Sequence, residues 1–300
     1  MMTKGHTQTN QPVSVIGLGA MGSGIASTFL DAGCQVSVWN RSRKKIDALA
    51  SLGAHACDSP TNAIQASPHI VVCLTGYAAW ENVIQDHRLQ NHLEDKFIIQ
   101  LTGGTIDEVQ THASLIEENR GRIADGALMC FPRQLGTEDA SLLMAGKAEV
   151  LEECDGLLRL LDPNWTNLGD DLTKPSILSR SLTAGIVTSL IGLLNGMAIC
   201  RAGGIPLELF MQHMEKAESI VPAEKRRLIE AVREGRTEET QASIKTWTGA
   251  HETIHSVAEQ LGTNLVLQDS IKFVLQEGQR LGLGEHDLSA IIDVFISKKA

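Results

Sequence analysis

The 300 residues include 26 lysines and arginines against 36 aspartates and glutamates, a formal net charge of −10. That balance excludes a nucleic-acid backbone as main partner and leaves room only for a local basic patch that grips one small anion. At 43% hydrophobic and 21% charged, the chain has the make-up of a soluble protein of about two domains, able to bury a full core without disulfides or metal. Six cysteines, at 34, 57, 73, 130, 154 and 200, form no C-x-x-C pair and fall mostly within apolar runs. This is the usage of free thiols in a reducing cytoplasm.

In chain order, residues 1–12 are polar, lack the apolar run of a secretory signal, and read as a loose N-terminal tail. Val13–Gly17 predicts a first strand, 22–31 a helix, Gln35–Trp39 a second strand and 42–51 a basic helix. The continuous apolar runs 70–74 and 97–101 read as buried parallel strands. Residues 122–128 and 141–145 predict further strands, 149–161 an amphipathic helix, and 165–168 a last strand. This alternation predicts an α/β, doubly wound parallel sheet with helices on both faces. From Pro175 onward the spacing is helical only: one long helix to the Gly203-Gly204 break, then helices over 206–219, 222–234, 237–261, 266–281 and 286–297. The boundary is expected near 170, giving an α/β domain over 13–170 and an all-α domain over 171–300, joined by the long helix. Within that helix Ser181–Cys200 runs twenty residues without a charge, enough to cross a bilayer. Its hydroxyls, its Asn195 and the lack of flanking aromatics predict a helix packed on all sides by protein, with no membrane partner.

Gly17-Leu18-Gly19-Ala20-Met21-Gly22 is a G-x-G-x-x-G between a predicted strand and a predicted helix. In that setting the first glycine permits the tight turn, the second admits a pyrophosphate, and the third lets helix pack on strand. The helix N-terminus offers unpaired N–H groups to the anion. NAD-binding chains place an acidic residue at the end of the second strand for the ribose 2′-hydroxyl. Here stands Asn40-Arg41-Ser42-Arg43-Lys44-Lys45. A guanidinium grips a 2′-phosphate where a carboxylate would repel it, so the expected cofactor is NADP(H).

G-L-G-A-M-G-S-G followed by V-W-N-R-S-R-K-K resembles the β-hydroxyacid dehydrogenase superfamily, and within it the imine reductases. The segment Asp125–Thr137 is similar to the D-G-A-I-M…P…I-G-T stretch of imine reductases, and Leu101–Thr105 to their L-T-x-G-T loop. The resemblance implies a Rossmann-type NADP-binding domain and a helical substrate and dimerisation domain, paired as a cytoplasmic homodimer whose helical domains interlock. It implies that Arg41, Ser42 and Lys45 hold the 2′-phosphate, and that Leu74, Thr75 and Thr102 line the dinucleotide crevice at the third and fourth strand ends.

The implied reaction is hydride transfer to the carbon of a small cyclic or preformed imine, which also requires one proton at nitrogen. Imine reductases carry an Asp or Tyr on the long helix for this purpose; Ser179 occupies that position here. Lys245, in a stretch loosely resembling K-D-L-x-L-A of the hydroxyacid enzymes, and His251 are the other candidates. Met129 and Trp247 are candidate walls of the substrate pocket. A β-hydroxyacid or semialdehyde reaction on a carbonyl substrate, suggested by Lys245, and a non-catalytic NADP-binding role, suggested by the serine at 179, stay open. His251-Glu-Thr-Ile-His255 also fits the zinc motif H-E-x-x-H. A hydrolase would leave the nucleotide-binding half without a task, and no metal is expected.

Overall fold

The computed structural model describes residues 10–238 and 240–296. Its chain divides into two compact units at Ala184/Gly185. The first is built on β1 (Pro12–Ile16), α1 (Ala20–Asp31), β2 (Gln35–Trp39), α2 (Arg43–Ala50), β3 (His55–Ala56), α3 (Pro60–Ala66), β4 (His69–Val72), α4 (Tyr77–His87), β5 (Phe97–Gln100) and α5 (Ile106–Glu118). It continues through β6 (Arg122–Leu128), β7 (Leu142–Gly146), α6 (Ala148–Leu161) and β8 (Thr166–Asn167).

The eight strands lie in the order β3-β2-β1-β4-β5-β6-β7-β8. All neighbouring pairs are parallel except β6 with β7. Alternation along β1 divides the core between the two faces. Val13 and Val15 pack with α1 and α6 residues such as Ile25, Phe29 and Leu157. Ile16 packs with Ile64, Trp80 and Ile116 on the other face. Buried Ser14 is satisfied locally, its hydroxyl donating to Ala63 O at 2.5 Å.

Local chemistry sets the helix starts. Ser59 accepts from the Asn62 amide before Pro60, whose missing N–H costs nothing at the first turn. Thr105 and Glu108 form a reciprocal capping box at α5. Short elements α3, α4 and α5 complete the alternation between the strands read from sequence.

The order reverses between β2-β1 and β4-β5, so the switch point lies at the carboxyl ends of β1 and β4, where open α/β sheets bind ligands. The expected loose tail lies outside the described residues up to residue 9; Pro12 already belongs to the sheet, and just before it Gln11 O accepts from the Gln35 amide at 3.1 Å.

The helix α7 (Lys174–Ala202) begins on the first unit, where Ser176 Oγ donates to Gly104 O at 3.0 Å. The second unit comprises the rest of α7 with α8 (Leu207–Glu218), α9 (Val221–Glu234), α10 (Ile244–Gln260), α11 (Val266–Arg280) and α12 (Ile292–Phe295). Its own core is small, centred on Ile244, Leu275, Ala290 and Ile291.

Three sequence expectations are corrected here. The helix expected over 237–261 starts only at Ile244, because Ser243 accepts from the Thr246 amide and caps it, while Thr237 O accepts from the Asp287 amide. The helix expected over 286–297 is a 3-10 turn at Leu288–Ile291 followed by α12, since the Asp287 carboxylate takes the Ser289 amide and tightens the turn; residue 297 lies outside the described residues. The long helix, expected to be covered on all sides, is open within the single chain, with Ile186 56%, Leu190 55% and Leu194 61% exposed. It has the length and hydropathy of a membrane span, and the described residues leave it uncovered.

Candidate active site

At the β1–α1 turn, Gly17 sits at φ +96°, a region that glycine enters without strain. A Cβ there would collide with the Cys73 carbonyl. At Gly22 it would collide with Gly17 O, so α1 can seat against β1 only with glycine at that position. At Gly19, the N-cap of α1, a Cβ would meet nothing within 4 Å. Gly19 and Ala20 are exposed, and Met21 is half-buried. The result is an open cradle at a helix N-terminus, the arrangement a pyrophosphate requires.

The neighbouring strand tips are tied to that cradle. The Leu18 amide donates to Asn40 Oδ1 at 3.0 Å, and Asn40 Nδ2 donates to Ser42 O at 3.3 Å. Beyond this knot Arg41, Ser42 and Lys45 are exposed. Arg43 is committed to Asp47 at 3.0 Å and Asp58 at 2.7 Å. Arg41 and Lys45 have no hydrogen-bond or ion-pair partner among the described residues. A cation held ready beside a phosphate cradle fits a 2′-phosphate.

On the other side of the switch point, the Leu74 amide donates to Thr102 Oγ1 at 3.0 Å, and the Thr102 amide donates to Gln100 Oε1 at 3.0 Å. Thr102 is buried and Thr75 exposed, so Thr102 acts as a tie between the β4 and β5 tips. Gln100 Nε2 is buried without a hydrogen-bond partner among the described residues. In register with Gln100 across β5 and β6 stands Asp125, a carboxyl inside the sheet. Tyr77 donates its hydroxyl to Asp125 Oδ2 and packs edge-on against His112, ring centroids 4.7 Å apart. Burial pushes Asp125 up to about 7, and raises Tyr77, which therefore remains the donor. His112, buried, is pushed down and stays neutral. Gln100, Tyr77 and His112 are not marked by the sequence alone; its signals here are a glutamine within one apolar strand and an aspartate within another, while Tyr77 and His112 fall on α4 and α5.

The candidates for the proton are placed less directly. Ser179 is buried, and its hydroxyl donates to Ser176 O at 3.2 Å. Lys245 is exposed and pairs with Glu285 at 3.1 Å. His251 is buried on the same helix, its Nε2 2.8 Å from Gln268 Oε1, and Gln268 Nε2 donates to Asn195 Oδ1 at 2.6 Å. Lys245 and His251 are six residues apart, about 240° around the helix, which matches one being exposed and the other buried. Met129 is half-buried at the end of β6, its amide on Ser141 O, and Trp247 is exposed.

His255, the second histidine of the H-E-x-x-H match, has Nε2 2.8 Å from Asp269 Oδ1. The two rings are thus drawn to separate partners on α11, and no metal-holding group of three His, Cys, Asp or Glu occurs among the described residues.

These features define a Rossmann-type dinucleotide-binding fold with its phosphate cradle formed. Residues 12–169, just over half the chain, match the family model described as the NAD binding domain of 6-phosphogluconate dehydrogenase, and the chain belongs to that family. It is 30% identical over 192 residues to an NADPH-dependent reductive aminase of Aspergillus oryzae, an alignment covering 64% of each chain. It is 23% identical over 92% of its length to a cytokine-like nuclear factor N-PAC of Anopheles gambiae, of which it spans 49%. Among solved structures it is similar to an imine reductase from Myxococcus stipitatus in complex with NADP+, at TM-score 0.90 and 27% identity, covering 95% of this chain and 100% of that one. A reductive aminase from Aspergillus terreus in complex with NADPH4, cyclohexanone and allyl amine aligns at TM-score 0.86 and 26% identity, over 96% and 100% of the two chains.

Proposed function

We propose that the chain is an NADPH-dependent oxidoreductase that reduces the C=N bond of a small, cyclic or preformed imine. The observation that carries the cofactor choice is Arg41, an exposed guanidinium without a carboxylate partner among the described residues, beside the Gly17–Gly22 cradle. Likeness to an imine reductase and a reductive aminase over nearly the whole chain supports the imine as substrate.

The bound dinucleotide supplies the hydride. The chain's residues do the remainder. Gly19, Ala20 and the first turn of α1 would hold the pyrophosphate, Arg41, Ser42 and Lys45 the 2′-phosphate, and Leu74, Thr75 and Thr102 would line the dinucleotide crevice at the third and fourth strand ends. Met129 and Trp247 are each proposed as an apolar wall residue. Ser179, Lys245 and His251 are the proposed proton-handling groups. Alanine at the one that matters lowers kcat while leaving NADPH binding unchanged.

The reading includes a cytoplasmic homodimer in which residues 171–300 form the substrate and dimerisation domain and the apolar length of α7 is covered by a second copy. The direct experiment follows NADPH oxidation by purified protein with 1-pyrroline. Turnover is expected. Turnover only with hydroxy acids or their carbonyl partners would replace the imine by the hydroxyacid reaction. Tight NADPH binding without turnover on any of these would favour a non-catalytic role.

A further inference from the structure

Arg180 takes no part in the proposed cofactor-holding or proton-handling set. It lies on α7 one turn beyond Ser176, on the same helix face, and Ser176 is the residue that fastens α7 to the β5–α5 turn through Gly104 O. Its guanidinium consequently reaches back over that turn. A Cβ on Gly103 would collide with Arg180 Nη2, so the guanidinium occupies the space that any other residue at 103 would fill. Arg180 is exposed and makes no hydrogen bond or ion pair among the described residues. Glu108, a carboxylate whose charge interacts with Arg180, is already committed to the amide and hydroxyl of Thr105.

The position along the sheet indicates which anion this cation would meet. A dinucleotide with its 2′-phosphate at the β2 tip and its pyrophosphate on the β1–α1 cradle extends across the switch point toward β4 and β5. Gly103 follows β5, so Arg180 stands at the nicotinamide end, two strands beyond the pyrophosphate cradle and three from Arg41. The cofactor carries no further phosphate there. The group that arrives at that end is the substrate.

We propose that Arg180 is a specificity-determining residue that binds a carboxylate on the substrate, so that the preferred imine is one bearing a carboxylate next to the reacting carbon. A guanidinium cannot serve as a general acid at neutral pH, but its planar fork matches a carboxylate with two parallel hydrogen bonds. Fixing the substrate by its carboxylate turns the C=N carbon toward one face of the ring that delivers hydride. The substrate class rests on the imine-reduction reading; the anion site does not.

The test uses full-length protein and two probes that differ by one group, 1-pyrroline and 1-pyrroline-2-carboxylate, together with the unreactive pyrrole-2-carboxylate. For wild type the carboxylated imine is expected to have the lower KM. Arg180→Met raises that KM at least tenfold, leaves KM for 1-pyrroline within twofold, and leaves the NADPH Kd unchanged. Arg180→Lys recovers part of the loss. Gly103→Ala, which displaces the flexible end of Arg180, reproduces the Arg180→Met defect, and the double variant is no worse than either single one.

In parallel, calorimetry on the NADP+ complex should show pyrrole-2-carboxylate binding that weakens at least tenfold in Arg180→Met. Should neither imine turn over while this binding stays dependent on Arg180, the imine reading falls and the carboxylate site stands. Equal effects on the two imines, a weakened NADPH Kd that makes the cofactor phosphates the anion held, or no binding of pyrrole-2-carboxylate to wild type would each overturn the proposal.

Discussion

Arg41 and Arg43 stand two positions apart at one strand tip, and their surroundings give them opposite uses. Arg43 neutralises Asp47 and Asp58, carboxylates that would otherwise repel an incoming phosphate. Arg41 has no such partner among the described residues, which leaves it available for the proposed 2′-phosphate. A charge-assisted hydrogen bond contributes about 1.5–3 kcal/mol, and tenfold in affinity is about 1.4 kcal/mol. Arg41→Ala should therefore raise the NADPH Kd tenfold or more while sparing NADH, by fluorescence titration of both; equal losses would remove Arg41 from the 2′-phosphate.

The buried carboxyl of Asp125 permits a second residue-scale prediction. Its pKa in the folded chain is raised to about 7 by burial, against 3.8 when unperturbed. Below pH 4 both states hold the proton. As pH climbs from 4 to 7 the unfolded chain releases it while the folded chain keeps it, so stability drains over that window and levels off above it. Asparagine at 125 can still accept from Tyr77 and has no proton to lose. The Tm of Asp125→Asn minus that of wild type should grow from pH 4 to 7 and then flatten; a gap independent of pH would show that the carboxyl is not held neutral.

At the scale of elements, what could be read from sequence was what is encoded locally. The runs 70–74 and 97–101 are buried on both faces of a parallel sheet, so their apolar continuity marks them without knowledge of the partner strands. The glycine turn is legible because Gly17 and Gly22 answer collisions within their own β-α unit and its neighbour. The start of α10 was not legible: residues 237–243 carry helix-compatible side chains, and the decision is made by Asp287, far along the chain, whose carboxylate draws in Thr240 at 3.1 Å and Arg227 at 3.1 Å. Arg180 is not legible for the same reason, since its meaning depends on Gly103 across 77 positions of chain. With α10 beginning at a serine cap, Ser243→Ala should lower unfolding free energy by about 1 kcal/mol, read as a lower denaturant midpoint at unchanged slope. No shift would mean that the Asp287 network sets the helix start unaided.

For the whole molecule the open question is what covers α7. Leu182, Ile186, Leu190 and Leu194 recur every fourth residue, and Val187 and Ile191 are exposed beside them, so the described residues leave this apolar stripe uncovered. Burying one such side chain contributes about 1.5–3 kcal/mol, and a stripe of this length opposes a free monomer strongly. A bilayer would satisfy the length, yet Arg180 near the start and Arg201 at the end bracket a stretch that also holds Ser181, Thr183, Thr188, Ser189 and Asn195, and Asn195 already serves Gln268. A second copy of the same helix offers apolar surface of matching length and accommodates those groups beside the second unit's own polar network. Light scattering in detergent-free buffer should therefore give about twice 32.4 kDa. Replacing Leu190 and Leu194 together by lysine should yield monomer with reduced turnover while NADPH binding to the first unit persists. A wild-type monomer, or protein that stays dispersed only in detergent, would mean that a second copy does not cover this helix.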